Sequence, residues 1–177
     1  MPLPVWHPMV VHFPLALGAS ATLFLLAARL VHDPHRAATL ATVGTWNLCV
    51  GAVAALAALA TGVAAVVDLH VGAAAHQAIS SHLKWAIFTT LALVLLAVWR
   101  CAGSAWDSRP AWPFVVVLLA ATAALGETGY RGAQNVYRYG IGVHGSASAV
   151  HPVESSRYGC FSRTEVILVP CTGSVSS

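Results

Sequence analysis

The chain has 177 residues, of which 58% are hydrophobic and 8% are charged, and its mean hydropathy is +0.73. A soluble globular domain carries about a quarter charged residues, because polar groups must cover its surface. This composition excludes a water-soluble sphere and indicates a membrane protein, whose exterior is apolar. The formal net charge of +3 comes from scattered residues, and without a run of Lys or Arg we expect no nucleic-acid partner.

Four apolar segments are each near the ~20 residues that cross a bilayer core of about 30 Å. They predict transmembrane helices at about residues 9–31, 43–67, 83–100 and 112–128. The connections HDPHR and SAWDSRPAWP contain prolines and are typical of loops. The predicted fold is all-α, an integral membrane four-helix up-and-down bundle over residues 1–143.

A Ser- and Gly-rich tail, residues 144–177, follows and is predicted to be poorly ordered. Its Cys160 and Cys171 either pair in an oxidising compartment or remain two unpaired thiols. None of the 4 cysteines forms a C-x-x-C pair, so the sequence supports neither a thiolate zinc site nor a redox dithiol.

Basic residues predict the orientation. Arg29 and Arg36 flank the first loop and Arg100 and Arg109 flank the third, whereas the N-terminal segment has no Lys or Arg. Cytoplasmic loops carry an excess of Lys and Arg. We therefore expect the first and third loops in the cytoplasm and both termini on the outer side.

Histidines gather at the outer side. Up-and-down threading brings the start of the first helix, the end of the second and the start of the third to one level. Ionisable residues at membrane depth are expensive, which makes them functional candidates. The side chains expected at this level are His7, His12, Asp68, His70, His76 and His82.

The first helix has an unusual opening, HPMVVHFP. A proline inside a helix removes a backbone hydrogen bond and kinks it, whereas a proline in the first turn is tolerated. Either Pro14 kinks the helix or the regular helix begins there. In both cases carbonyls near Met9 and Val10 lack a helical donor, next to His12.

Four features are notable together: the opening HPMVVHFPLAL, the pair Thr61-Gly62 followed by Asp68, His82 at the start of the third helix, and NVYRYGIGV near the end of the fourth. Over roughly residues 4–143 they resemble the bacterial membrane-protein family called domain of unknown function (DUF) 2231. The resemblance implies a four-helix inner-membrane domain without an established activity, with periplasmic termini on the orientation above. It also implies a loose grouping with cytochrome b561-like haem proteins, which favours redox work. Similar members often have a histidine where Tyr139 stands.

The sharpest hypothesis is a single b-type haem ligated by His12 and His82 for electron transfer with a membrane redox partner. A second haem is disfavoured, because the cytoplasmic half has no histidine inside a helix. A second hypothesis is a copper or zinc site, with ligands drawn from His7, His12, Asp68, His76 and His82.

The third hypothesis is a non-catalytic accessory or scaffold subunit, in which these polar groups only hydrogen-bond between helices. Homo-oligomers are compatible with all three. Catalysis is not expected, because the sequence has no Ser/His/Asp arrangement and no glycine-rich phosphate loop.

Overall fold

Helices account for nearly all of the chain that the structure, a computed structural model, describes, which is residues 6–66, 73–103 and 106–141. No strand occurs in these ranges. The helices are α1 (Trp6–Val10), α2 (His12–Leu30), α3 (Pro34–Val66), α4 (Ala73–Ala102) and α5 (Trp112–Tyr137). The all-α prediction is confirmed. The predicted tail, with Cys160 and Cys171, lies outside the described residues.

Within the described residues, four stretches are long and apolar enough to cross a membrane, and they contain 25, 33, 30 and 26 residues, with α1 and α2 counted together. Many of their large apolar side chains point outward, such as Leu23, Val53, Leu91 and Val116. A soluble protein rarely exposes so much contiguous apolar surface. The chain is therefore a multi-pass membrane protein whose helices contact lipid.

Helices α3, α4 and α5 extend beyond the apolar segments that predicted them, whereas α2 is shorter than the predicted 9–31. Helix α3 begins at Pro34, well before Val43, because the loop sequence contains its cap. The Asp33 carboxylate accepts a hydrogen bond of 2.8 Å from the Arg36 backbone N–H, and proline at the first helical position lacks a donor that would have no partner there. Only residues 31–33 therefore separate α2 from α3.

Neighbouring helices run antiparallel. α2 packs on α3 and α4 on α5, and α3–α4 and α2–α5 contacts join these two hairpins. We call the end with the α2–α3 and α4–α5 turns the hairpin end, and the opposite one the amino-terminal end. Leu25, Leu48, Leu93 and Leu118, one from each long helix, are at most 1% exposed and belong to one apolar core.

Helices α2 and α3 are in close contact at Gly44. A Cβ atom there would lie 2.7 Å from Leu25 Cγ and 3.1 Å from the Leu25 backbone nitrogen. Real Cβ atoms do not approach other atoms so closely, so a side chain at this position must push the two backbones apart. The absence of a side chain sets the spacing of the first hairpin.

We expect Gly44→Ala to lower the free energy of unfolding by about 1–3 kcal/mol, the usual cost of overpacking a core. Gly126→Ala is the matched control, because a Cβ there meets no atom within 4 Å and both changes carry the same gain in helix propensity. Equilibrium unfolding in mixed micelles measures both variants. Equal stabilities would contradict the close approach at Gly44.

Candidate functional site

The short helix α1 places His7 against the end of α3. Its Nδ1 lies 3.0 Å from the Ala58 carbonyl oxygen and 3.4 Å from Thr61 Oγ1. The imidazole lies over Gly62, where a Cβ would be 2.8 Å from His7 Cε1. The ring thus occupies space that only a glycine leaves open.

Pro14 explains why α1 and α2 are separate. Helix α2 begins at His12, so Pro14 lies in its first turn, where proline is tolerated. Its missing N–H deprives Val10 of a helical donor, which is the irregularity predicted from the sequence. Val11 keeps right-handed helical angles, so α1 stays close to the direction of α2 but meets α3 with His7.

His82 repeats this arrangement in the second hairpin. Its Nδ1 lies 3.1 Å from the Thr128 carbonyl oxygen on α5, and a Cβ on Gly132 would be 3.1 Å from its Cε1. In both hairpins the glycine follows the carbonyl residue by four positions, one helical turn. A histidine near the start of each hairpin therefore binds the second helix of that hairpin in the same way.

The hydrogen bonds determine which ring nitrogen holds the proton. A carbonyl oxygen can only accept, so Nδ1 of His7 and of His82 must be the donor. In the neutral ring the lone pair is then on Nε2. Neither Nε2 atom forms a hydrogen bond with a described residue.

A charged cluster lies beside His82. Arg131 forms an ion pair of 2.7 Å with Glu127 and donates a 2.8 Å hydrogen bond to Ser81 Oγ. Its guanidinium is 5.1 Å from the centre of the Trp85 ring. The cluster fixes the start of α4 against the end of α5.

The other predicted ligands lie elsewhere. His12 and His76 are exposed and form no hydrogen bond within the described ranges. Asp68 and His70 lie outside the described residues. Among residues 6–66, 73–103 and 106–141, no three His, Cys, Asp or Glu side chains are grouped as a metal site would require.

Arg100 is a buried arginine that connects two helices, a role that its sequence position beside the third loop does not predict. It is only 8% exposed, and its guanidinium donates to Thr45 Oγ1 at 3.1 Å, to Ser108 Oγ at 3.3 Å and to the Trp106 carbonyl at 3.2 Å, as well as to the Ser108 carbonyl. These bonds join α3, α4 and the following turn at the hairpin end. Nothing in the local sequence distinguishes Arg100 from an interfacial arginine.

The sequence also does not predict the contact between Cys49 on α3 and Cys101 on α4. Their Sγ atoms are 2.9 Å apart although the residues are 52 positions apart in sequence. Both are free, partly buried thiols. Sequence spacing gives no indication of such a pair, because only the packing of α3 on α4 creates it.

Comparison with known proteins identifies a family for this chain. The family described as "Predicted membrane protein (DUF2231)" matches residues 3–145, a range that includes His7 and His82. No curated protein and no solved structure matches the chain.

Proposed function

The chain belongs to the DUF2231 family of predicted membrane proteins, and we propose that it is an electron-transfer protein that binds one b-type haem at its amino-terminal end through His7 and His82. One observation carries the proposal. Two half-buried imidazoles are each held through Nδ1 by a main-chain carbonyl, which leaves both Nε2 lone pairs without a protein partner. Axial ligation of haem iron uses such nitrogens.

Each of the two rings packs against a glycine. Gly62 and Gly132 present bare backbone beside the imidazoles, where any Cβ would meet the ring. Each imidazole can therefore lie close to the neighbouring helix, because no side chain projects from the backbone there. The glycines thus help to orient the two proposed ligands, and the donor chemistry of the two imidazoles is what fits a haem.

His7 replaces His12 as the partner of His82 in this proposal. Five residues rotate a helix by about 140°, so the two histidines cannot face the same way without a marked distortion. The break at Val11 does not bring them together, and His12 remains exposed. The exposed His12 side chain could not ligate the same iron as His82, whose ring contacts α5.

The protein contributes orientation and basicity. The carbonyls of Ala58 and Thr128 accept the Nδ1 protons of His7 and His82, which fixes each ring and raises the donor strength of Nε2. When bound, a b-type haem supplies reversible one-electron transfer. Because the ligands come from α1 and α4, the site would join the two hairpins at the amino-terminal end.

The proposed location is a bacterial inner membrane with the amino-terminal end facing the periplasm. Support comes from Arg29, Arg36, Arg100 and Arg109, all close to the hairpin end, since basic residues favour the cytoplasmic side. A redox partner would then dock on the periplasmic side.

The test is an absorption spectrum of the full chain purified from haem-replete cells. We expect a Soret band, with about one haem per chain by pyridine haemochrome assay, as one pair of axial ligands implies. A colourless protein with stoichiometric copper or zinc by elemental analysis would support the metal hypothesis instead. A colourless, metal-free protein that retains a stable partner subunit would support the accessory role.

A further inference from the structure

Two thiols from different hairpins are in contact where the last turn of α4 packs against the middle of α3. We propose that Cys49 and Cys101 are a redox-active modification site that forms a reversible disulfide between α3 and α4. Their Sγ atoms lie 2.9 Å apart, and a disulfide requires about 2.0 Å. A small shift of the two side chains is enough to bring the atoms to bonding distance.

A second contact fixes the same part of the two helices. Thr45 precedes Cys49 by one helical turn and Arg100 directly precedes Cys101, and Arg100 Nε donates to Thr45 Oγ1 at 3.1 Å. Leu48, beside Cys49, is fully buried in the core. The backbones that bear the cysteines are therefore held together by contacts that do not involve sulfur.

The reaction needs a disulfide as its co-reactant. The thiolate of one cysteine attacks a sulfur of a small-molecule disulfide, which forms a mixed disulfide and releases one thiol. The second cysteine then attacks the protein sulfur and releases the other thiol. The two cysteines together lose two electrons and two protons, and the co-reactant gains them as two thiols. Excess thiol reverses both steps, so the state of the pair follows the redox potential of its surroundings.

The bond would have a structural consequence that is separate from haem binding. Helix α3 ends the first hairpin and α4 begins the second, so a Cys49–Cys101 bond links the hairpins covalently where the last turn of α4 meets the middle of α3, away from His7 and His82. Separation of α3 from α4 at this contact would then be possible only in the reduced protein.

The experiment uses the full chain in lipid nanodiscs with Cys160→Ser and Cys171→Ser, so that only the pair can react. The reagent is 2,2′-dithiodipyridine, a membrane-permeant disulfide. We expect two thiones released per chain, an intact mass lower by two hydrogens without a retained pyridylthio group, and a Cys49–Cys101 peptide on mapping. Dithiothreitol should restore both thiols.

Cys49→Ser in the same background is the matched control, because Cys101 alone should keep its pyridylthio adduct and release half as much thione. Three outcomes would overturn the proposal: two retained adducts, a disulfide between two chains, or no reaction at either cysteine. The thiols remain in the haem-free protein, so the result is independent of the haem spectrum.

Discussion

We expect His7→Ala and His82→Ala each to remove the Soret band of the purified protein, whereas His12→Ala should leave it unchanged. The reason is that the proposed haem has two imidazole ligands, and among the described residues only His7 and His82 have Nδ1 held by a main-chain carbonyl while Nε2 is left without a protein partner. The measurement is the absorbance ratio of the Soret band to the protein band.

Loss of colour must be separated from loss of fold. His76→Ala is a further control, since His76 is exposed like His12, and all four variants should elute as monodisperse species with the helical circular dichroism of the wild type. A colourless His12→Ala protein beside a coloured His7→Ala protein would show that the ligand is His12, and the proposed geometry would be wrong.

The second large effect is expected at Arg100. Arg100→Met keeps the length and apolar stem of the side chain but removes every donor, which leaves the Trp106 and Ser108 carbonyls and Thr45 without the guanidinium. Hydrogen bonds to a charged group contribute about 1.5–3 kcal/mol each in favourable cases and are not additive. We expect the free energy of unfolding to fall by about 2–3 kcal/mol.

Arg109→Met is the matched comparison. Arg109 is also at the hairpin end, but it is exposed and donates one hydrogen bond, of 2.7 Å, to the His32 carbonyl. Surface changes of this kind are usually within about 0.5 kcal/mol. Urea or SDS titration in mixed micelles measures both variants, and equal losses would mean that burial of Arg100 does not contribute to stability.

Much of the fold could be predicted because lipid imposes a simple rule on sequence. A run of about 20 apolar residues has few alternatives to a spanning helix, and the four runs overlap the four long helical stretches. The ends were harder to place. The start of α3 depends on the Asp33 cap, and the first turns of α4, from Ala73, are too polar to be recognised from hydropathy.

The site was only partly predictable. Antiparallel threading placed His7 and His82 at one end, but the choice between His7 and His12 depends on how α1 is rotated relative to α3. Each residue along a helix turns the side-chain direction by about 100°. A shift of α1 by a single residue would therefore change which histidine ring contacts α3. The Cys49–Cys101 contact and the burial of Arg100 depend on the packing of α3 against α4, which a single sequence does not reveal.

The size of α1 has a consequence for access to the site. This helix has five residues and no buried side chain, and it contacts α3 and α2 only lightly. Elements with so few contacts open locally at a small fraction of the global unfolding free energy. We therefore expect α1 to open locally about Val11 and to carry the His7 imidazole away from α3. The opening would let haem enter the site while α2 to α5 stay in place.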